Sequence, residues 1–227
     1  MANVLITGAN RGIGLELTRA YAEAGDKVFA ACRAPAEASD LKALSGDIAV
    51  HQVDVTDHAS IDRLAAEISV PVDIVVANAG VYGQPGADQS FSGLDFEGFR
   101  FAVEANTVGA MKTLQAFLPH VRQSEGKKLV AITSKMGSID DASGGMIAYR
   151  ASKTALNMAM SCAAFELKGE GIAVGTLHPG WVQTRMGGSN APTTPQESAA
   201  GLKSVIESLQ PADKAVFKDF RGATIAW

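Results

Sequence analysis

Short apolar runs recur along the chain, with longer amphipathic segments between them. Asn3–Thr7, Lys27–Ala31, Ile48–Val53, Val72–Ala77, Lys128–Thr133 and Ile172–Leu177 are rich in Val and Ile and scarcely alternate. Strands covered on both faces of a parallel sheet read in this way. Between the first two runs, Gly12–Ala24 carries Ile13, Leu17 and Ala20 on one side, and Gly25 is placed as its C-cap. A second helix is predicted from an N-cap at Thr56, through Ile61, Leu64, Ala65 and Ile68, to a stop at Pro71. Further helices are predicted over Phe96–Gln123, Tyr149–Lys168 and Pro195–Ser208.

Strand and helix in alternation, with short connections, predict a doubly wound α/β fold: one parallel sheet with helices on both faces. The Gly/Pro/Ser-rich stretches Tyr82–Gly93 and Gly187–Pro195 both follow predicted strands. They read as loops over a site, because ligands of open α/β sheets bind there. Residues 1–227 are therefore expected to form one dinucleotide-binding and catalytic domain, with a short substrate loop near 185–195. Only 47 of the 227 residues follow Gly180 (227 − 180), so an open site without a long lid is expected.

Composition narrows the classes of function. With 20 Lys+Arg against 24 Asp+Glu and 6% aromatics, the chain lacks the basic stripe or stacking rings of a nucleic-acid surface. Cys32 and Cys162 are too few for a disulfide framework, which points to a reducing compartment. No apolar run approaches the length of a membrane span or a signal-peptide core, so a cytoplasmic location is expected. His51, His58, His120 and His178 lack ligand spacing, and no metal site is proposed. His178 reads as backbone support, and Asp140-Asp141 as a solvated turn.

The chemistry concentrates at a few points. The first run leads straight into Thr7-Gly8-Ala9-Asn10-Arg11-Gly12-Ile13-Gly14. Glycines at a strand-to-helix turn let the backbone approach a phosphate, and the helix N-terminus presents free N–H groups to it. The spacing is G-x-x-x-G-x-G, not the G-x-G-x-x-G of the common dinucleotide fingerprint. About twenty residues on, where an NAD-binding turn places an acidic acceptor for the ribose 2′-hydroxyl, the chain has Cys32-Arg33. Arg33, and Arg11 inside the turn, can pair with a 2′-phosphate, which favours NADP(H) over NAD(H). Both can equally be solvated surface arginines. Tyr149 and Lys153 are four apart, on one helix face, where an ammonium lowers a phenol's pKa. Asn106 can equally cap or kink its helix, Ser134 can be a turn serine, and Tyr149 can bury its ring and wet its hydroxyl.

Taken in order, these motifs resemble the classical short-chain dehydrogenase/reductase family over nearly the whole chain. Thr7-Gly8-x-x-x-Gly12-x-Gly14 is similar to its cofactor turn, and Asp54-Val55 to the pair set against the adenine. Asn78-Ala79-Gly80 is similar to the motif closing its fourth strand, and Pro179-Gly180-Trp181-Val182-Gln183-Thr184 to the segment flanking the nicotinamide. Asn106, Ser134, Tyr149 and Lys153 are similar to its catalytic tetrad. Short carbonyl-reductase-like and C-factor-like members are the most similar.

The resemblance implies a Rossmann-like fold and hydride transfer between a nicotinamide and a carbonyl or alcohol carbon of a small molecule. Tyr149 would exchange the proton, Ser134 would hold the oxygen, Lys153 would hold the ribose and keep Tyr149 acidic, and Asn106 would anchor a relay water. Tyr82, Met136, Trp181 and Met186 are candidates for a substrate pocket, with Ile139 beside them. Helices corresponding to Thr107–Gln123 and Tyr149–Lys168 often pair classical relatives into dimers or tetramers, while small carbonyl reductases can be monomeric; the sequence leaves both open. Some similar members are credited with signalling, so a cofactor-binding sensor with little turnover is the rival expectation.

Overall fold

A computed structural model describes all residues, Met1–Trp227. Seven parallel strands form one sheet: β1 (Asn3–Thr7), β2 (Lys27–Cys32), β3 (Ile48–Gln52), β4 (Ile74–Ala77), β5 (Lys128–Ile132), β6 (Ala173–His178) and β7 (Val216–Asp219). Their order across the sheet is β3-β2-β1-β4-β5-β6-β7. The order reverses between β1 and β4, in register from Val4↔Ile74 to Ile6↔Val76, and the crevice for a ligand opens beyond their C-terminal ends.

Seven helices accompany the strands: α1 (Gly12–Glu23), α2 (Ser39–Lys42), α3 (His58–Glu67), α4 (Phe96–Val103), α5 (Gly109–Arg122), α6 (Ile147–Leu167) and α7 (Pro195–Ser208). Alternate residues of each strand serve opposite faces of the sheet. Val4, Ile6, Val28 and Ala30 share a core with Leu17 and Tyr21 of α1 and with Leu202 and Ile206 of α7. Leu5, Phe29 and Ala31 share the other with Ile61 and Leu64 of α3, Leu114 and Phe117 of α5, and Leu156 and Met160 of α6. Burial on both sides is why the sequences of the five inner strands scarcely alternate. No helix is long and apolar enough to cross a membrane.

Several predicted boundaries need correction. Asp57, not Thr56, occupies the N-cap of α3; Thr56 turns back to bond Asp54 Oδ1 through its amide (3.0 Å) and its hydroxyl (2.7 Å). That helix stops at Glu67, where Ile68 is already extended, well before Pro71. The predicted helix Phe96–Gln123 is α4 and α5 joined by a π-helical turn at Glu104–Val108. β7 is an additional strand beyond the six predicted, and α7 begins with Pro195 inside a Thr194–Glu197 capping box. Gly25, in the left-handed region at φ +86°, follows the end of α1 as expected.

Candidate active site

The glycine turn is shaped by steric exclusion. Gly8 and Gly12 have φ of +66° and +55°, which a side chain rarely adopts. A methyl group on Gly14 would overlap the Gly8 carbonyl oxygen and lie 2.5 Å from Asn78 Nδ2. One on Gly12 would lie 3.2 Å from Thr184 Cγ2, which sets the Pro179–Thr184 segment directly across the turn. Thr7 Oγ1 accepts from the amides of Asn78 and Ala79, both at 3.1 Å, while Asn78 Nδ2 donates to Thr7 O at 2.8 Å. Asn78 therefore fastens β4 to β1 at the switch point.

The start of α1 is left for a ligand. Its N-cap, Arg11, is extended and makes no side-chain cap, and no acidic residue stands in the first turn. Free N–H groups and the positive end of the helix dipole face the turn built from Gly8, Asn10, Arg11, Gly12, Ile13 and Gly14. This cradle, closed to any Cβ at Gly14, fits a phosphate-bearing nicotinamide cofactor. Arg11 and Arg33 are exposed at its rim. The arginines that form ion pairs are Arg19, Arg63, Arg100 and Arg122, so these two remain free for an anion. Cys32 is buried and its thiol is pushed up by that burial, so it stays neutral and cannot replace the missing carboxylate. Asp54 and Val55 follow β3; Val55 O lies so close to Gly109 that a side chain there would collide with it.

The four predicted catalytic residues converge beyond the ends of β4 and β5. Asn106 is fully buried within the π-turn. Its Oδ1 accepts from the Val81 amide at 2.8 Å, and its Nδ2 donates to Val81 O and Ser152 Oγ, both at 2.9 Å. The wider turn of a π-helix re-aims a side chain that a regular helix would place elsewhere. Gly80 lies against this group: a Cβ there would sit 3.0 Å from Asn106 Oδ1 and 3.4 Å from Lys153 Nζ. Ser134, buried, caps a 3₁₀ turn at Lys135–Gly137 by accepting from the Met136 amide at 3.1 Å. Tyr149 and Lys153 project from the first turns of α6, with Nζ 5.9 Å from the phenol ring centroid.

The electrostatics differ from the sequence expectation. Burial pushes the Tyr149 phenol up to about 12, the Ser134 hydroxyl opposing it and Tyr82 adding to it. Burial also lowers Lys153 to about 8. Lys153 Nζ donates to Ile132 O at 2.9 Å, not to the phenol, so desolvation outweighs the expected acidifying effect on Tyr149. His178 is pushed down to about 4, chiefly by burial; its buried Nδ1 has no hydrogen-bond partner, so the ring supplies no backbone support. His51 pairs with Glu67, His58 with Glu104, and His120 with Ile68 O. No three His, Cys, Asp or Glu side chains cluster as a metal site.

The pocket candidates are spread around this centre. The Tyr82 ring packs on Tyr149 with centroids 4.8 Å apart. Met136 lies in the turn after Ser134. Trp181 is exposed and donates Nε1–H to Gly187 O at 2.7 Å, and Met186 is exposed beside it. Trp181 also lines an open cavity of about 450 Å³ with Lys135, His178, Gly180, Phe220 and Arg221. Two features escaped the sequence reading. The main-chain oxygen of Trp227 accepts from the Ile139 amide (2.5 Å) and from Ser138 Oγ (3.2 Å), bracing the loop after Ser134. Gln89 holds the start of α6, and no periodicity marks either residue.

The family model of short chain dehydrogenases matches residues 2–195. A 1-hydroxy-2-glutathionyl-2-methyl-3-butene dehydrogenase of Rhodococcus is 35% identical, covering 100% of both chains. C-signal of Myxococcus xanthus is 37% identical over 69% of this chain and 93% of its own length. An NADPH-bound carbonyl reductase from chicken fatty liver superposes with a TM-score of 0.90 at 30% identity, covering 100% of this chain and 99% of the other. The chain belongs to the short-chain dehydrogenase/reductase family of oxidoreductases.

Proposed function

We propose that the protein is an NADP(H)-dependent reductase of small or medium aldehydes, ketones or quinones. The observation that carries the reading is the convergence of buried Ser134, Tyr149, Lys153 and Asn106 beside a glycine turn that excludes any side chain at Gly14. A bound nicotinamide supplies the hydride. The chain's own residues manage the charge that develops on the carbonyl oxygen. Tyr149, protonated across the neutral range at a pKa of about 12, donates a proton to that oxygen. Ser134 donates a hydrogen bond to the same atom, an interaction that strengthens as negative charge grows. Lys153, at about 8, exchanges protons readily near neutrality, and Asn106 holds the backbone of Val81 beside it.

The free guanidiniums of Arg11 and Arg33 support NADP(H) over NAD(H), as does the likeness to an NADPH-bound carbonyl reductase. The likeness to C-signal favours a second reading, a nicotinamide-binding sensor or signalling protein with little turnover.

The test is a panel of aldehydes, ketones and quinones with NADPH and NADH, run on the wild type, Tyr149→Phe and Arg33→Ala. Reduction by the wild type, its loss in Tyr149→Phe with NADPH binding retained, and a selective weakening of NADPH in Arg33→Ala are expected. NADPH binding without turnover on any carbonyl would favour the sensor.

A further inference from the structure

The helix that carries Tyr149 begins without a cap of its own. Met146, at its N-cap, is in the left-handed region (φ 53°, ψ 35°) and offers no side-chain acceptor. The first turn of a helix has N–H groups with no partner inside it, and a capping side chain normally accepts from the third residue. Here the acceptors come from sixty residues away. Gln89 O accepts from the Ile147 amide at 3.1 Å, and Gln89 Oε1 accepts from the Tyr149 amide at 3.0 Å. The other end of the same amide group donates from Nε2 to Tyr82 O at 2.9 Å. Tyr82 in turn lays its ring on that of Tyr149.

One side chain thus ties both partners of the aromatic pair. The loop is shaped to deliver it: a Cβ on Gly83 would lie 2.6 Å from Gln89 Nε2, and Asp88 Oδ1 accepts from the Ser90 amide at 2.7 Å just beyond it. We infer that Gln89 is a positioning residue for Tyr149, acting as the helix cap in trans and fixing the phenol against Ser134 through the Tyr82 ring. The inference rests on the proton-donor reading of Tyr149. It assigns to the loop after β4 a role in turnover as well as in covering the site.

The experiment compares Gln89→Leu, which removes acceptor and donor together, with Gln89→Glu, which keeps the acceptor, and Gln89→Asn, which keeps both groups on a shorter arm. Each is assayed for kcat, carbonyl KM, NADPH affinity, thermal melting and the pH dependence of kcat. Gln89→Leu and Gln89→Asn are expected to lower kcat by about tenfold to a hundredfold, the penalty of a misplaced reacting group. NADPH affinity should stay within about twofold, since no cradle residue is touched. The alkaline limb of the pH profile should move to lower pH as a loosened phenol gains solvent. Gln89→Glu keeps the acceptor for the Tyr149 amide but sets an oxygen against Tyr82 O, so its rate should lie between those of Gln89→Leu and the wild type. Unchanged kcat and pH profile in Gln89→Leu would overturn the inference, as would a loss shared equally by Gln89→Glu. Activity surviving in Tyr149→Phe would instead remove the proton-donor reading itself, so the two failures are distinct.

Discussion

The two sides of the crevice are built from different materials. On the side proposed for the cofactor, bare glycine backbone is pinned by short side chains: Gly8, Gly14, Thr7 and Asn78 lock β1 to β4 with no room for a methyl group. On the side proposed for the substrate, side chains stand in the open: Tyr82, Trp181 and Met186 are exposed, and the Trp181 ring is tied by one hydrogen bond, from Nε1 to Gly187 O. Steric exclusion tolerates no substitution, whereas exposed rings can be exchanged at modest cost. On the proposed function, the glycine cradle can therefore be kept while the opposite wall is varied to suit different substrates.

The largest effect should come from the backbone side. In Gly14→Ala the new methyl overlaps the Gly8 carbonyl oxygen and crowds Asn78 Nδ2. Both belong to the junction of the central strands, so neither can yield cheaply. A loss of about 3 kcal/mol or more is expected, at the upper end of overpacking costs, together with loss of NADPH binding. Denaturant unfolding and cofactor fluorescence measure the two. A Gly14→Ala protein that melts and binds like the wild type would break the contrast at its stronger end.

The shared boundary of the two sides gives an intermediate effect of opposite sign. Lys153 is buried and its pKa is lowered to about 8, so at neutral pH the fold carries a cation it would rather shed. Against an unfolded value near 10.4, that shift costs about 3 kcal/mol below pH 8. Between about pH 8 and 10.4 the folded protein has released a proton that the unfolded chain retains, so wild-type stability rises with pH across that window. Lys153→Met should abolish turnover yet raise stability at pH 7 by about 2 kcal/mol, allowing about 1 kcal/mol for the bond to Ile132 O. The gain should vanish by about pH 10.4, as unfolding curves at three pH values would reveal. A constant gain at every pH would mean that packing, not charge, is responsible.

The same contrast explains what the sequence could disclose. The five inner strands were legible because burial on both faces writes them as unbroken apolar runs. The two edge strands differ: β3 begins Ile48-Ala49-Val50 and is apolar enough to show although none of its residues is fully buried, whereas β7, Val216-Phe217-Lys218-Asp219, is half charged or polar and buries only Phe217. The cofactor turn was legible because it needs glycine at fixed positions. The tetrad emerged through its resemblance to the family's ordered motifs, which carry no information on where a side chain points. Lys153 reaches Ile132 O instead of the phenol, and burial reverses the expected shift at Tyr149. The π-turn around Asn106 follows the same apolar rhythm as the helices it joins, so it leaves no trace in the pattern. Gln89 and Trp227 act chiefly through hydrogen bonds to residues far along the chain, which no local periodicity records.

The smallest effect should be on the exposed wall. Trp181 is 58% exposed, so truncating it returns little buried area to water, and its one tie is the 2.7 Å bond to Gly187 O. Trp181→Ala should cost about 1 kcal/mol or less of stability, the ordinary worth of one such bond. Trp181 also lines the open cavity beside His178 and Gly180. On the reading that this wall meets the substrate, carbonyl KM should rise by about threefold to fivefold for bulky substrates, a loss of roughly 1 kcal/mol in uniform binding. Both kcat and NADPH affinity should stay unchanged, because Trp181 touches neither the tetrad nor the glycine turn by any hydrogen bond. Kinetics on a small and a bulky aldehyde separate the outcomes. A Trp181→Ala protein as crippled as Gly14→Ala would mean that the aromatic wall is as rigidly specified as the cradle, and that the site is closed to substitution on both sides.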